Sequence, residues 1–114
     1  MMGKEYEEIK NNKSCLSVVS NRKKLNVPID AIDYLESRGR KIILHLEQKE
    51  ISFYAKISDV ADSFLENGFV RIHQSFMVRK NKIQNVSRNS VEYGDLILPV
   101  SRRYYVEIRK ITEE

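Results

Sequence analysis

Between residues 71 and 103 the chain carries Arg71, Arg79, Lys80, Lys82, Arg88, Arg102 and Arg103, against only Glu92 and Asp95. Cations at this density suit a polyanion. Each can meet a phosphate. Residues 41 to 70 have the opposite bias, with Lys41, Lys49 and Lys56 against Glu47, Glu50, Asp59, Asp62 and Glu66. The bland alternative is a solvated surface whose charges scatter once the chain folds.

Other chemistries lack their residues. His45 and His73 lie in different predicted strands, and Cys15 is the single cysteine, which argues against a structural zinc site and rules out an internal disulfide. The glycines are Gly3, Gly39, Gly68 and Gly94, too dispersed for a phosphate-cradling loop. No serine sits in a nucleophile elbow, and a His73–Ser75 pair has no orienting acid or oxyanion donors. The sequence therefore reads as a non-enzyme, and no cofactor is expected.

The elements that must position these residues are short and mostly β. "CLSVVS" and "KLNVPI" flank "NRK" as a hairpin. "DAIDYLES" and "KIILHLE" flank "RGRK", where Gly39 supplies the tight turn. Ile42, Leu44 and Leu46 alternate with Ile43, His45 and Glu47, and "EISFYAK" repeats the period of two. The period then lengthens. "SDVADSFLENG" places Val60, Ala61, Phe64 and Leu65 on one helical face, with Ser58 as cap and Gly68 as terminator. "FVRIH", "KIQNVS", "SVEYG" and "DLILPV" return to strands, with a Gly94-Asp95 hairpin and Pro99 at a strand end or sheet edge. Phe76, Met77 and Val78 read as an apolar plug that holds a loop. Ser101 is placed to cap a closing helix "RRYYVEIRKI", with Tyr104, Ile108 and Ile111 on one face. No βαβ rhythm occurs. The fold expected is mainly β, an elongated domain of small antiparallel sheets with a short central helix and a short C-terminal helix, about eight or nine strands in all.

The 114 residues suit one domain. Residues 1–14 read as a flexible N-terminal extension or linker remnant and 15–114 as the domain. The charged start "MMGKEYEEIK" lacks a signal-peptide core, no apolar run could span a bilayer, and the free thiol fits a reducing compartment. A cytoplasmic location is expected, without membrane contact. No helix-turn-helix reader is apparent, so any DNA reading falls to loops and strand ends.

Taken together, "FVRIHQSFMVRKNKI" and "YGDLILPVSRRY" resemble the LytTR-type DNA-binding domain of bacterial response regulators. The family's F-x-R-x-H-x-S-aromatic-apolar-V run falls on Phe69, Arg71, His73, Ser75, Phe76 and Val78, with Ile83 following. Its L-P-V-S-R-x-Y run falls on Leu98, Pro99, Val100, Ser101, Arg102 and Tyr104, and "AIDYLES" fits the first half. The similarity covers roughly residues 15 to 111. The resemblance implies loops inserted into successive major grooves of promoter direct repeats, with bending of the DNA. It implies base reading by Arg40, Gln74 and Arg103, and backbone contacts by His73, Ser75, Arg79, Lys80, Lys82 and Arg102. For His73, a buried hydrogen bond to backbone is an equal expectation. The family usually has asparagine where this chain has Arg79. Implied partners are double-stranded DNA, a second copy on the adjacent repeat, and a receiver domain or sensor outside this chain. The competing class is a β-rich protein-interaction or dimerisation module with an incidental basic face.

Overall fold

A computed structural model describes residues 14–112. The extension expected over residues 1–14 therefore lies, apart from Ser14, outside the described residues. Ten strands and two α-helices follow in the order β1 (Cys15–Ser20), β2 (Lys23–Pro28), β3 (Ile32–Arg38), β4 (Lys41–Leu46), β5 (Glu50–Tyr54), α1 (Ile57–Leu65), β6 (Phe69–His73), β7 (Phe76–Arg79), β8 (Ile83–Val86), β9 (Ser90–Tyr93), β10 (Leu96–Pro99) and α2 (Arg102–Thr112). The fold is mainly β, as the sequence predicts, and every strand pairing is antiparallel. A central sheet has the order β5-β4-β3-β7-β6, flanked by a β1-β2 hairpin and a β10-β9-β8 sheet. The principal extents are 50 × 33 × 24 Å.

The strand absent from the sequence reading is β7. Its "FMV" looks like a plug because it does not alternate, yet it is an inner strand between β3 and β6. Both faces of the central sheet are covered, so both of its side-chain sets are apolar. Met77 joins one core with Leu35, Leu44, Phe64 and Phe69; Val78 joins a second with Ile72, Val91, Tyr93 and Ile108. The first core lies under α1 and the β1-β2 hairpin, the second under α2 and the three-stranded sheet.

Turn chemistry follows the sequence closely. Gly39 (φ 62°) and Gly94 (φ 59°) take the left-handed conformation in two-residue hairpins that join Arg38 to Lys41 and Tyr93 to Leu96. In the first hairpin Asn21 and Arg22 both have positive φ. The helix caps differ from expectation. Helix α1 opens one residue before Ser58, and the Asp59 carboxylate accepts the Lys56 backbone N–H at 3.0 Å. Its buried face is Ile57, Val60 and Phe64, while Leu65 is 52% exposed. Phe64 meets Phe69 edge-on, centroids 4.9 Å apart, which fixes α1 against β6. At α2, the Ser101 carbonyl accepts from the N–H groups of Tyr104 and Tyr105, while its Oγ is buried without a hydrogen-bond partner. Ser101 therefore does not cap through its side chain.

Candidate nucleic-acid interface

Antiparallel pairing sorts the charged side chains by the end of the central sheet they occupy, not by their half of the sequence. At one end lie the β3–β4 turn with Gly39 and Arg40, the β6–β7 turn with Gln74 and Ser75, and the exit of β5 into α1. The start of α2 joins them, because Ser101 N–H donates to the Ile72 carbonyl at 3.0 Å. This rim therefore gathers Arg38, Arg40, Lys41 and Lys56 from the first half with Arg102 and Arg103 from the second, all exposed. The basic bias of residues 71–103 captures only part of it. Tyr54, 75% exposed, adds an aromatic face with the Lys41 ammonium 5.1 Å from its ring centroid.

The Gln74 turn is held from three sides. Ser75 N–H donates to His73 Nδ1 at 3.0 Å, and Ser37 N–H donates to the Ser75 carbonyl at 2.8 Å. Arg71 Nη2 donates to the Gln74 carbonyl at 2.9 Å. With its backbone fixed this way, the exposed Gln74 side chain projects from a rigid turn. The same Arg71 guanidinium lies 5.4 Å from the Tyr104 ring centroid, and Arg103 lies at 5.4 Å from that ring too. Arg71 and Tyr104 thus tie the Gln74 turn to the first turn of α2, which carries Arg103. Sequence reasoning counted Arg71 only as charge and as a motif position. Its signal was an arginine between Val70 and Ile72 in an otherwise apolar strand.

His73 uses Nδ1 on the turn and packs edge-on to Phe76 at 5.8 Å, so the expected backbone hydrogen bond is present. Its Nε2 is the atom left for a phosphate. Arg40 sits at a hairpin tip, and Arg102 and Arg103 open α2, where they face the positive end of the helix dipole.

The stretch "RKNK" belongs elsewhere. Strand β7 starts beside Gln74 and runs away from it, so Arg79, Lys80 and Lys82 lie at the opposite end of the sheet. Two of these three side chains make contacts within the fold. Arg79 Nε donates to the Ile32 carbonyl at 2.9 Å and its Nη2 to the Ile29 carbonyl at 2.7 Å, over the Phe69 ring at 4.6 Å. Two of its donors are thus engaged inside the fold. Lys82 forms an ion pair with Asp33 above the Tyr93 ring. Tyr93 completes this staple, donating its hydroxyl to the Asp33 carbonyl at 2.5 Å and accepting from Arg79 N–H at 3.1 Å. Burial is the main cause of a Tyr93 phenol pushed up to about 12. Lys80 remains exposed, with its backbone N–H bonded to the Gly68 carbonyl.

The LytTr DNA-binding domain family matches residues 22–113. Among curated proteins, Accessory gene regulator protein A of Staphylococcus aureus (strain N315) is 30% identical over 70 residues, 59% of this chain. The same protein of strain MRSA252 matches equally. The chain spans 29% of the length of these relatives. Among solved structures, the LytTr DNA-binding domain of a protein described as a methyl-accepting/DNA response regulator from Bacillus cereus superposes with a TM-score of 0.72 at 21% identity, covering 90% of this chain and all of that one. That likeness establishes the fold, and the family match extends over most of the chain. The protein belongs to the LytTr DNA-binding domain family.

Proposed function

We propose that this DNA-binding domain recognises promoter DNA sequence-specifically and regulates transcription, reading bases through turns at one rim of its central sheet. The observation that carries this reading is the coupling of Gln74 to Arg103 through Arg71 and Tyr104, on a rim that also bears Arg40. Arg40, Gln74 and Arg103 read base edges in the major groove. His73, Ser75 and Arg102 contact phosphates beside them, and Lys80 reaches the backbone farther along the duplex. The 50 Å length exceeds one helical turn of about 34 Å, which supports engagement of successive grooves with bending of the DNA. The relatives are named as gene regulators, which supports the regulatory role; promoter direct repeats, a second copy on the adjacent repeat and a receiver or sensor partner belong to the same proposal. No helix among the described residues is long and apolar enough to cross a membrane.

The test is selection of bound sites from random duplexes, followed by a salt titration on the winner. Log affinity is expected to fall with log salt at about −0.9 per phosphate neutralised. Arg103→Ala is expected to cost about 1–3 kcal/mol on the selected site and to relax base choice. A flat salt dependence, or unchanged affinity and base preference in Arg103→Ala, would overturn the assignment. One observation favours the competing protein-interaction reading: Leu96 and Ile97, 40% and 73% exposed, lie on the edge strand β10. Association at micromolar protein without DNA would support it.

A further inference from the structure

Arg38 ends β3 beside the Gly39–Arg40 turn, and its side chain is 63% exposed. Its guanidinium grips Glu36 with two parallel bonds, Nε to Oε2 and Nη2 to Oε1, each 3.0 Å. Glu36 is largely covered, at 15% side-chain exposure. The same Oε1 lies 2.9 Å from His45 Nε2. On the other side of the ring, His45 Nδ1 lies 3.4 Å from Glu50 Oε2. The imidazole is 13% exposed and stacks on Tyr34, centroids 4.1 Å apart and planes within 9°. Both ring nitrogens thus face carboxylate oxygens. A neutral imidazole donates from only one nitrogen, so it would turn a lone pair toward one of the carboxylates; only the imidazolium donates at both.

We propose that Arg38 is a further contact to DNA phosphate, and that the protonation of His45, acting through Glu36, sets how much of its charge the DNA meets. This rests on the DNA-binding reading above. With His45 protonated, Glu36 and Glu50 are balanced by His45 and Arg38, and a phosphate can compete for Arg38. With His45 neutral, the cluster carries a net negative charge close to the rim, and Glu36 has Arg38 as its one close cation. Arg38 is then sequestered. Binding is therefore tighter on the acid side of the histidine titration.

The titratable and charged groups facing His45 are Tyr34, Glu36 and, behind Glu36, Arg38 on β3, with Glu50 on β5. Tyr34 is silent near neutrality, because burial, then Glu36, Asp33 and Glu50, hold its phenol above its ordinary value of 10.0. From β7, Phe76 approaches the far side of Tyr34 and brings no charge. His73 sits on the Gln74 turn and is kept constant in every variant.

The test is anisotropy on a short mixed-sequence duplex at about pH 6 and about pH 8. The wild-type domain is compared with His45→Gln, Glu36→Gln and Arg38→Ala, with circular dichroism confirming each fold. The wild type is expected to bind ~3–10-fold tighter at the lower pH, with a salt slope steeper by ~0.9, one phosphate's worth. His45→Gln loses most of that pH ratio. Glu36→Gln binds tightly at both pH values. Arg38→Ala, at an exposed position that leaves the fold intact, binds weakly at both and has the shallower slope. A His45→Gln variant with the wild-type pH ratio would overturn the linkage, and so would an Arg38→Ala variant with unchanged affinity and slope at the lower pH. In either case ordinary salt-dependent binding would leave the DNA reading standing. No duplex binding at any pH would overturn both.

Discussion

Arg79→Ala separates a structural cation from a DNA-facing one. The substitution removes a fork that satisfies two carbonyls, Ile32 at 2.9 Å and Ile29 at 2.7 Å, and that lies 4.6 Å from the Phe69 ring centroid. Hydrogen bonds from a charged donor are each worth about 1.5 kcal/mol or more. A guanidinium over an aromatic ring adds about 0.5–1 kcal/mol. The expected loss is therefore about 3–4 kcal/mol. For a domain of this size that lowers Tm by roughly 12–17 °C. Arg79→Lys keeps the charge but cannot span two carbonyls with a fixed fork, so it recovers at most about half of the loss. The assay is thermal and urea unfolding, paired with a salt titration on duplex DNA at a temperature where both variants are folded. The salt slope is expected to match wild type. Wild-type Tm in Arg79→Ala, or a folded variant whose slope is shallower by about 0.9, would refute the reasoning and return Arg79 to the phosphates.

Tyr93→Phe removes the hydroxyl that bonds both the Asp33 carbonyl and the Arg79 N–H, and is expected to cost about 1–2 kcal/mol near neutral pH by chemical denaturation. Alkaline unfolding adds a signed test. The Tyr93 phenol is pushed up to about 12 in the fold from an ordinary 10.0, so the folded state binds the extra proton between those values. Its contribution is constant below about pH 10 and is lost as pH rises toward 12, by up to about 2–3 kcal/mol; the difference between wild type and Tyr93→Phe isolates it from lysine titration. Arg71→Ala is expected to destabilise the fold by only about 1–2 kcal/mol, because its bond to Gln74 lies at an exposed turn, while faster amide exchange spreads through residues 73–76 and the start of α2. Unchanged exchange at either segment would show that Arg71 does not couple them. Gly94→Ala, at φ 59° with nothing near a new Cβ, is expected to cost about 1 kcal/mol in denaturant from backbone strain alone.

Local chemistry was legible wherever neighbours along the chain decided it. Gly39 and Gly94 announced hairpins because only a left-handed residue closes a two-residue turn with the right twist. Alternation located β4 and β5, and the longer period located α1 and the buried Ile108 of α2. The paired motifs "FVRIHQSFMV" and "LPVSRRY" made the family recognisable, and with it Gln74 and Arg103 as candidates. What stayed hidden depended on partners distant in sequence. Strand β7 could not be separated from a plug, since covering a sheet on both faces erases the alternation by which a strand is recognised. Helix α1 was capped by Asp59 instead of Ser58, a choice between neighbours that only backbone geometry makes. Arg79 looked like surface charge because its acceptors lie 47 and 50 residues earlier in the chain. The basic bias of residues 71–103 is divided in space for the same reason. A strand carries its two ends to opposite rims of a sheet, so Gln74 and Lys80, six residues apart in sequence, face different ends of the molecule, while Arg40 and Arg103 share one. Sequence alone determined nine of the ten strands, both helices, the glycine hairpins and the family resemblance. The pairing order β5-β4-β3-β7-β6 decided which cations share a surface, because charge acts through space and only the fold sets distance.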